Sequence, residues 1–134
     1  MTIIPVELGT RSYDIEIADG LLDRAMDGLA QFVARGRIVV VTDEAVAKCQ
    51  LPRLKACADN AGIALHPIVL PAGEATKSWK QLEMLTDQLL QLGIERGDHI
   101  VALGGGVIGD LTGFAASIIK RGCGFVQIPT TLLA

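Results

Sequence analysis

A short apolar run that leads into a cluster of glycines constrains the fold of this chain more than any other feature. The run Ile100–Leu103 is typical of a buried strand, Gly104, Gly105 and Gly106 follow it directly, and an apolar helical pattern covers residues 111–119. Glycine lets a backbone approach a bulky group and tolerates positive φ without steric cost. Because the free N–H groups at a helix start favour negative charge, the stretch predicts a phosphate-binding turn of a nucleotide site.

The glycine spacing alone is a weak signal. Gly104, Gly106 and Gly109 satisfy the pattern G-x-G-x-x-G, but a dinucleotide-binding fingerprint also expects an acidic residue about 20 positions later. Asp110 is the last acidic side chain of the chain. A second interpretation therefore stays open, in which the glycines serve only tight helix–strand packing.

Strand and helix patterns alternate along the chain after an opening pair of strands. This alternation predicts an α/β fold, a Rossmann-like open and mainly parallel sheet with helices on both faces, opened by two short strands. The predicted strands cover residues 3–8, 12–17, 38–41, 63–70, 100–103 and 125–128. The predicted helices cover residues 20–34, 44–60 with a break at Pro52, 79–93 and 111–119.

Single residues give further local predictions. Asp19 is a candidate cap for the first helix, and Thr76 or Ser78 is a candidate cap for the third. His99 is interpreted as a surface residue, and Trp79 as a core or interface residue.

Four loops follow directly after the four strands of the predicted parallel sheet. Open sheets of this kind bind ligands at the carboxyl ends of their strands, where these loops meet. All four carry polar or glycine residues, which favours a binding site over glycines that serve packing alone. The loops are 42–43, 71–77, 104–110 and 129–131.

Composition excludes several classes of function. The 12 basic and 15 acidic side chains give a net charge of −3, so no nucleic-acid partner is expected. No apolar run approaches 18 residues, and no signal-peptide pattern opens the chain, so neither a membrane span nor secretion is predicted. The three cysteines and two histidines lack metal-ligand spacing, so no metal site within this chain is predicted.

Four ordered blocks of the sequence closely resemble 3-dehydroquinate synthase. They are GExxKS at residues 73–78, GGGVIGDLTGF at 104–114, KRG at 120–122 and FVQIPTTLLA at 125–134. The resemblance implies that residues 1–134 are the amino-terminal NAD-binding domain of such an enzyme, truncated at its carboxyl end. It also implies that a helical second domain, absent from this chain, supplies the zinc ligands, so no catalytic or metal-binding residue is expected here.

The activity that the resemblance implies is a lyase reaction of the shikimate pathway, which leads to the aromatic amino acids. The family converts the sugar acid phosphate DAHP to 3-dehydroquinate with loss of phosphate, using NAD and zinc or another divalent metal. A cytoplasmic homodimer is expected, and the 134 residues alone are expected to be inactive. The alternatives are another sugar-phosphate cyclase, of the inosose or valiolone synthase type, a nucleotide-binding module without catalysis, and a purely structural or partner-binding domain.

The resemblance also assigns site residues. It places Asp43 on the adenosine ribose, the loop around Lys77 on the cofactor, and Arg121 on the substrate phosphate across a dimer. Ala45 departs from the asparagine of several family members, which puts one ribose or adenine contact in doubt. The full set of expected cofactor-binding residues is Asp43, Gly73, Glu74, Lys77, Gly105, Gly106, Val107, Ile108, Gly109, Asp110, Thr130, Thr131 and Leu133.

Overall fold

The computed structural model describes residues 1–132, which form six strands and five α-helices. The strands are β1 (Thr2–Val6), β2 (Tyr13–Ile17), β3 (Arg37–Asp43), β4 (Ala64–Leu70), β5 (His99–Gly104) and β6 (Gly124–Pro129). The helices are α1 (Met26–Leu29), α2 (Glu44–Cys49), α3 (Leu51–Asn60), α4 (Trp79–Gln91) and α5 (Gly106–Ile118). Short 3-10 turns cover Gly9–Arg11, Leu21–Arg24, Ala30–Phe32, Glu74–Thr76 and Ile119–Arg121.

The strands form two separate sheets. β3 to β6 make a parallel sheet in the order β4-β3-β5-β6, and β1 pairs with β2 as an antiparallel hairpin. The predicted fold class and the opening pair of strands are therefore confirmed.

Side chains of the central strands alternate between two cores, because successive residues of a strand point to opposite faces. Val39 and Val41 join the core under α4 and α5, whereas Ile38 and Val40 join the core under α1 and α3. Helices thus cover both faces of the parallel sheet, as predicted. This double coverage explains why its strands read as continuous apolar runs.

The chain reverses its winding direction between β3 and β5. From β3 it passes through α2 and α3 on one face to β4, and from β5 it passes through α5 on the other face to β6. Such a reversal leaves a crevice at the carboxyl ends of the two strands, where open α/β sheets bind ligands.

The first predicted helix is wrong in detail. Residues 21–32 form two 3-10 turns around the four-residue helix α1, and Gly20, with φ 66°, precedes the first turn instead of a capping Asp19. Gly28 stands in the middle of this segment, and glycine costs a helix about 1 kcal/mol relative to alanine. The break at Pro52 is confirmed, since α3 begins at Leu51 with the proline in its first turn.

Of the other local predictions, the cap at Ser78 is confirmed, whereas those for His99 and for a Trp79 in the core are wrong. Ser78 caps α4, since its hydroxyl accepts a hydrogen bond from the Gln81 N–H at 3.2 Å. The surface interpretation of His99 is wrong, because its half-buried ring packs 4.7 Å from the Phe32 ring. Trp79 is not a core residue of the chain, because it is 79% exposed.

In the part of the chain that the structure describes, no helix has the length and apolar character that crossing a bilayer requires.

Candidate functional site

The crevice opens where β3 and β5 separate. Their pairing runs from Val39 with Ile100 to Val41 with Ala102, although β3 continues to Asp43 and β5 continues to Gly104. The last residues of both strands therefore face each other across a gap rather than through ladder hydrogen bonds. Thr42, Leu103 and Gly104 are buried at this edge, so a ligand would meet the half-buried Asp43 and the residues that follow β5.

Asp43 stands at one side of the gap as the N-cap of α2. One of its carboxylate oxygens, Oδ1, accepts a hydrogen bond from the Val46 N–H at 2.9 Å. This bond fixes the orientation of the half-buried side chain. Within residues 1–132 the Oδ2 atom has no hydrogen-bond partner, so it can accept a ligand hydroxyl.

Helix α5 begins on the other side of the gap, at Gly106 and not at the predicted position 111. Gly105 is its N-cap, so the N–H groups of Gly106, Val107 and Ile108 belong to the first turn and lack helical acceptors. The Ile108 side chain is buried, which leaves only its backbone for a ligand. The Gly109 N–H already donates to the Gly105 carbonyl at 3.0 Å.

The glycines of this segment serve two different purposes. None of the residues from Gly104 to Gly109 has positive φ, so conformational freedom does not explain them. A Cβ on Gly104 would lie 2.8 Å from Ile108 Cβ, and one on Gly109 would lie 2.5 Å from Gln127 Nε2. Gly104 is therefore confined by packing against Ile108, and Gly109 leaves room for the flexible end of the Gln127 side chain.

Gly106 has no such packing role. A Cβ built on it would find no atom within 4 Å, so the space in front of the first turn of α5 is open. Since the helix start favours negative charge, this open space fits a phosphate group.

Three glycines spaced by four residues line the face of α5 that lies on β6 and the residues after it. A Cβ on Gly105 would contact Thr131 at 3.3 Å, one on Gly109 would meet Gln127, and one on Gly113 would lie 3.1 Å from the Phe125 ring. We call this row the glycine face of α5. It brings the helix close enough to β6 for the start of α5 to lie beside the segment that follows this strand.

The predicted residues after β6 flank the start of α5. The Thr130 N–H donates to the Gly104 carbonyl at 3.0 Å, and Thr131 lies against Gly105. Leu133, the last predicted cofactor residue, lies outside the described residues.

The loop from Pro71 to Ser78 brings a cation to the same region. Lys77 Nζ lies 2.8 Å from Asp110 Oδ2, with side-chain exposures of 45% and 67%. The hydrogen bond that the Lys77 ammonium donates to Asp110 is the main cause that raises the pKa of Lys77, followed by the charges of Asp110 and then Glu74. Lys77 and Asp110, two predicted residues that lie 33 positions apart in sequence, therefore form an ion pair.

Thr76 holds this loop in shape. Its buried hydroxyl donates to the Pro71 carbonyl at 2.5 Å, and its N–H donates to the carbonyl of Gly73, whose φ is 108°. Sequence reasoning considered Thr76 only as a helix cap and missed this role. The signal was a threonine between Gly73 and the capping Ser78, but only the fold shows that its hydroxyl turns inward.

Arg121 does not lie at the crevice. It follows α5, whose 13 residues span about 20 Å, so it stands at the opposite, amino-terminal edge of the parallel sheet. Any ligand that contacts both Arg121 and the crevice of the same chain must bridge that distance.

Metal ligands do not converge in this part of the chain. Among residues 1–132, no group of three His, Cys, Asp or Glu side chains is arranged to hold a metal ion.

An open parallel sheet with a carboxylate and a glycine-started helix at its reversal point is the arrangement of nucleotide-binding α/β domains. Comparison with known families agrees with this class. The family described as 3-dehydroquinate synthase N-terminal matches residues 67–134. The chain belongs to the 3-dehydroquinate synthase family.

Full-length relatives are similar over nearly the whole chain. It is 56% identical over 131 residues to a 3-dehydroquinate synthase of Zymomonas mobilis, covering 98% of the chain and 35% of the relative. It is 51% identical over 134 residues to that of Brucella anthropi, covering 100% of the chain and 35% of the relative. The chain thus spans about a third of the length of these relatives.

Solved structures show the same fold. A 2-deoxy-scyllo-inosose synthase superposes with a TM-score of 0.85 at 22% identity, covering 99% of the chain and 37% of that protein. The 2-epi-5-epi-valiolone synthase of Streptomyces hygroscopicus, solved with NAD+ and Zn2+, gives a TM-score of 0.81 at 31% identity. It covers 95% of the chain and 35% of that protein.

Proposed function

We propose that this chain is the NAD-binding part of a 3-dehydroquinate synthase, the enzyme that converts DAHP to 3-dehydroquinate with loss of phosphate. Two observations support this beyond family membership. The full-length relatives with 51–56% identity carry that name, and the related valiolone synthase was solved with NAD+ bound.

The observation that carries the proposal is the open space in front of Gly106. It lies over the first turn of α5, where three N–H groups lack helical acceptors, and it adjoins the gap that Asp43 borders. These groups fit a dinucleotide, because its pyrophosphate needs N–H donors and its ribose hydroxyls need a carboxylate acceptor.

Different residues of the site would bind different parts of the cofactor. The start of α5 would hold the pyrophosphate, Asp43 would accept ribose hydroxyl hydrogens, and Lys77 would supply positive charge. Thr130 and Thr131 would line the cofactor on the side of β6, and Gly73 and Glu74 would shape the loop that carries Lys77. When bound, NAD supplies reversible hydride transfer from a hydroxyl-bearing carbon of the substrate.

The remaining parts of the proposal concern the whole protein. Residues 1–134 would be its amino-terminal NAD-binding domain, and a zinc or other divalent ion would be held by residues outside the described part. Arg121, at the far edge of the sheet, would bind the substrate phosphate of the partner in a homodimer. The assembled enzyme would act in the cytoplasm, in the shikimate pathway.

A valiolone synthase type of cyclase is the second candidate, because that structure is 31% identical to the chain. The higher identity to the 3-dehydroquinate synthases favours the first candidate.

Substitution of Gly106 tests the proposal. A Cβ on Gly106 meets no atom within 4 Å and the φ of this residue is not positive, so Gly106→Leu is expected to fold normally and to occupy the open space. NAD binding should weaken about a hundredfold, which corresponds to about 2.7 kcal/mol. Titration of the labelled chain with NAD, followed by the amide NMR shifts of residues 106–108, measures the affinity.

Gly97→Leu is the matched control. A Cβ on Gly97 also meets nothing within 4 Å, its φ is not positive, and it lies before β5 at the opposite edge of the sheet. It should bind NAD like the unmodified chain. Equal NAD affinity in both variants, or no shift of the α5 amides in the unmodified chain, would contradict the proposed function.

A further inference from the structure

A small cavity lies at the amino end of the parallel sheet, away from the crevice. Its volume is about 10 Å³, and its polar lining comes from Arg37, Asp98 and His99. We infer that this cavity is a binding site for one water molecule, which donates hydrogen bonds to His99 and Asp98 and accepts one from Arg37. The inference does not depend on NAD binding, because the site stands at the opposite edge of the sheet from the crevice.

The His99 ring has an unsatisfied nitrogen beside this cavity. Its Nδ1 atom is buried and has no hydrogen-bond partner within residues 1–132. A buried polar atom without a partner has lost its hydration without replacement, so most such atoms in proteins are bonded to another protein group or to an ordered water. Since His99 lines the cavity, a water molecule there can donate to Nδ1.

Neighbouring atoms hold the His99 ring in place. The Phe32 ring packs on it with 4.7 Å between the two centroids. A Cβ on Gly124, which pairs with His99 across the sheet, would lie 2.4 Å from the ring atoms Cδ2 and Nε2. The ring is therefore confined by Phe32 and by the backbone of Gly124, and it cannot swing out to bring Nδ1 into solvent.

Asp98 and Arg37 offer the other two hydrogen bonds. Within residues 1–132 the Asp98 carboxylate accepts from the Glu95 N–H at 2.8 Å and from Arg35, both at Oδ2, so Oδ1 can accept from a water molecule. The Arg37 guanidinium carries five N–H donors, which suit the water oxygen. A buried water makes about three hydrogen bonds and needs a volume of at least about 10 Å³, and this cavity provides both.

The cavity also lies where β3 and β5 are not joined. Their pairing begins with Val39 and Ile100, although β3 starts at Arg37 and β5 starts at His99. A water molecule bound to Arg37 and His99 would link the two strands beyond the end of their ladder. Loss of this water should therefore lower the stability of the chain.

A crystal structure of the chain is the direct test. It should show one ordered water within hydrogen-bond distance of both His99 Nδ1 and Asp98 Oδ1. An empty cavity in a structure that shows ordered water elsewhere would overturn the inference.

Filling the cavity gives a second, independent test. Ala34 lines it, so Ala34→Val should displace the water and leave Nδ1 without a partner. The equilibrium constant of unfolding, measured by urea denaturation, should rise about tenfold. His99→Phe keeps an aromatic ring beside Phe32 but removes the acceptor. In that background Ala34→Val should raise the constant by less than about threefold.

His66→Phe is the matched control, because His66 is exposed on β4 and does not line the cavity. In this background Ala34→Val should again raise the unfolding constant about tenfold. An equal rise in the His99→Phe background would mean that the valine acts by crowding alone. A lower constant for Ala34→Val in the unmodified chain would mean that the valine fills a dry cavity. Either result would overturn the inference.

Discussion

The two ends of the parallel sheet carry similarly exposed cations in ion pairs but differ in free space and in backbone conformation. At the carboxyl end, β3 and β5 part, Gly106 faces open space, and Lys77 and Asp110 keep 45% and 67% of their side chains exposed. At the amino end, cations are held in strained backbone and paired with carboxylates. The comparison shows that free room, more than the presence of charge, distinguishes the candidate site from the rest of the surface.

The amino end is closely packed. Its cavity between Phe32, Arg37 and His99 has a volume of about 10 Å³, enough for about one water molecule. Arg35 pairs with the largely buried Asp98 and donates to the Gly93 carbonyl at 3.0 Å.

Backbone strain is concentrated at this same end. The non-glycine residues with positive φ in residues 1–132 are Arg35, Lys120 and Arg121, at 59°, 48° and 64°. Lys120 reaches Glu95 at 3.8 Å, whereas no side-chain partner of Arg121 is present among the described residues. Arg121 is therefore a strained and exposed cation, which is consistent with a contact to another molecule.

The largest effect is expected at Gly104, because this residue packs against Ile108, whereas Gly106 faces open space. Gly104→Ala places a Cβ 2.8 Å from Ile108 Cβ, inside a buried contact. The free energy of unfolding should fall by about 1–3 kcal/mol. Urea denaturation measures it, and Gly97→Ala should change it by less than about 0.5 kcal/mol. Equal stability of the two variants would show that Gly104 is not confined by packing.

A smaller change in the free energy of unfolding, this time stabilising, is expected at Arg121 at the amino end of the sheet. The left-handed conformation costs a non-glycine residue about 1–2 kcal/mol, and replacing that residue with glycine removes this cost. The greater freedom of glycine in the unfolded chain offsets part of the resulting gain in stability. Arg121→Gly should therefore raise the free energy of unfolding by up to about 1 kcal/mol and leave NAD affinity unchanged. Arg96→Gly, at a residue without positive φ, should lower stability. A stability loss in both variants would mean that Arg121 carries no strain.

The smallest effect concerns Cys123, which lies half-buried beside β6 at the amino end. Burial raises the pKa of its thiol, and the negative charge of Asp98 raises it further. Since the thiolate is the reactive form, iodoacetamide should modify Cys123 slowly at pH 8, and the rate should still rise above pH 9. Peptide mass spectrometry follows the reaction, with the urea-unfolded chain as control. Equal rates for the folded and unfolded chains at pH 8 would show that the amino end is open.

Much of the fold could be predicted because its signals are local. The four strands of the parallel sheet are apolar runs bounded by turn residues, and the break at Pro52 and the cap at Ser78 depend on neighbours within a few positions. The helix predicted for residues 20–34 was wrong, because that prediction followed the apolar spacing, which suits a helix, and not Gly28, which weakens one.

The candidate site could be predicted only in outline. The strand-end rule predicted which loops meet at the carboxyl edge of the sheet, but it gave no sign that Lys77 pairs with Asp110. Nor could sequence assign Gly104 and Gly109 to packing and Gly106 to open space, because the three fit one motif equally well. The burial of His99 depends on Phe32, which lies 67 positions away, and no local pattern reports such a contact.

The glycine face of α5 has a consequence for motion. Gly109 and Gly113 are about 6 Å apart along the helix, and Gln127 and Phe125, which pack on them, are about 6.6 Å apart along β6. This matched spacing lets both β6 side chains lie on the backbone of α5. The Phe125 ring opposes sliding of the helix at Gly113, whereas the exposed end of Gln127 can move aside at Gly109.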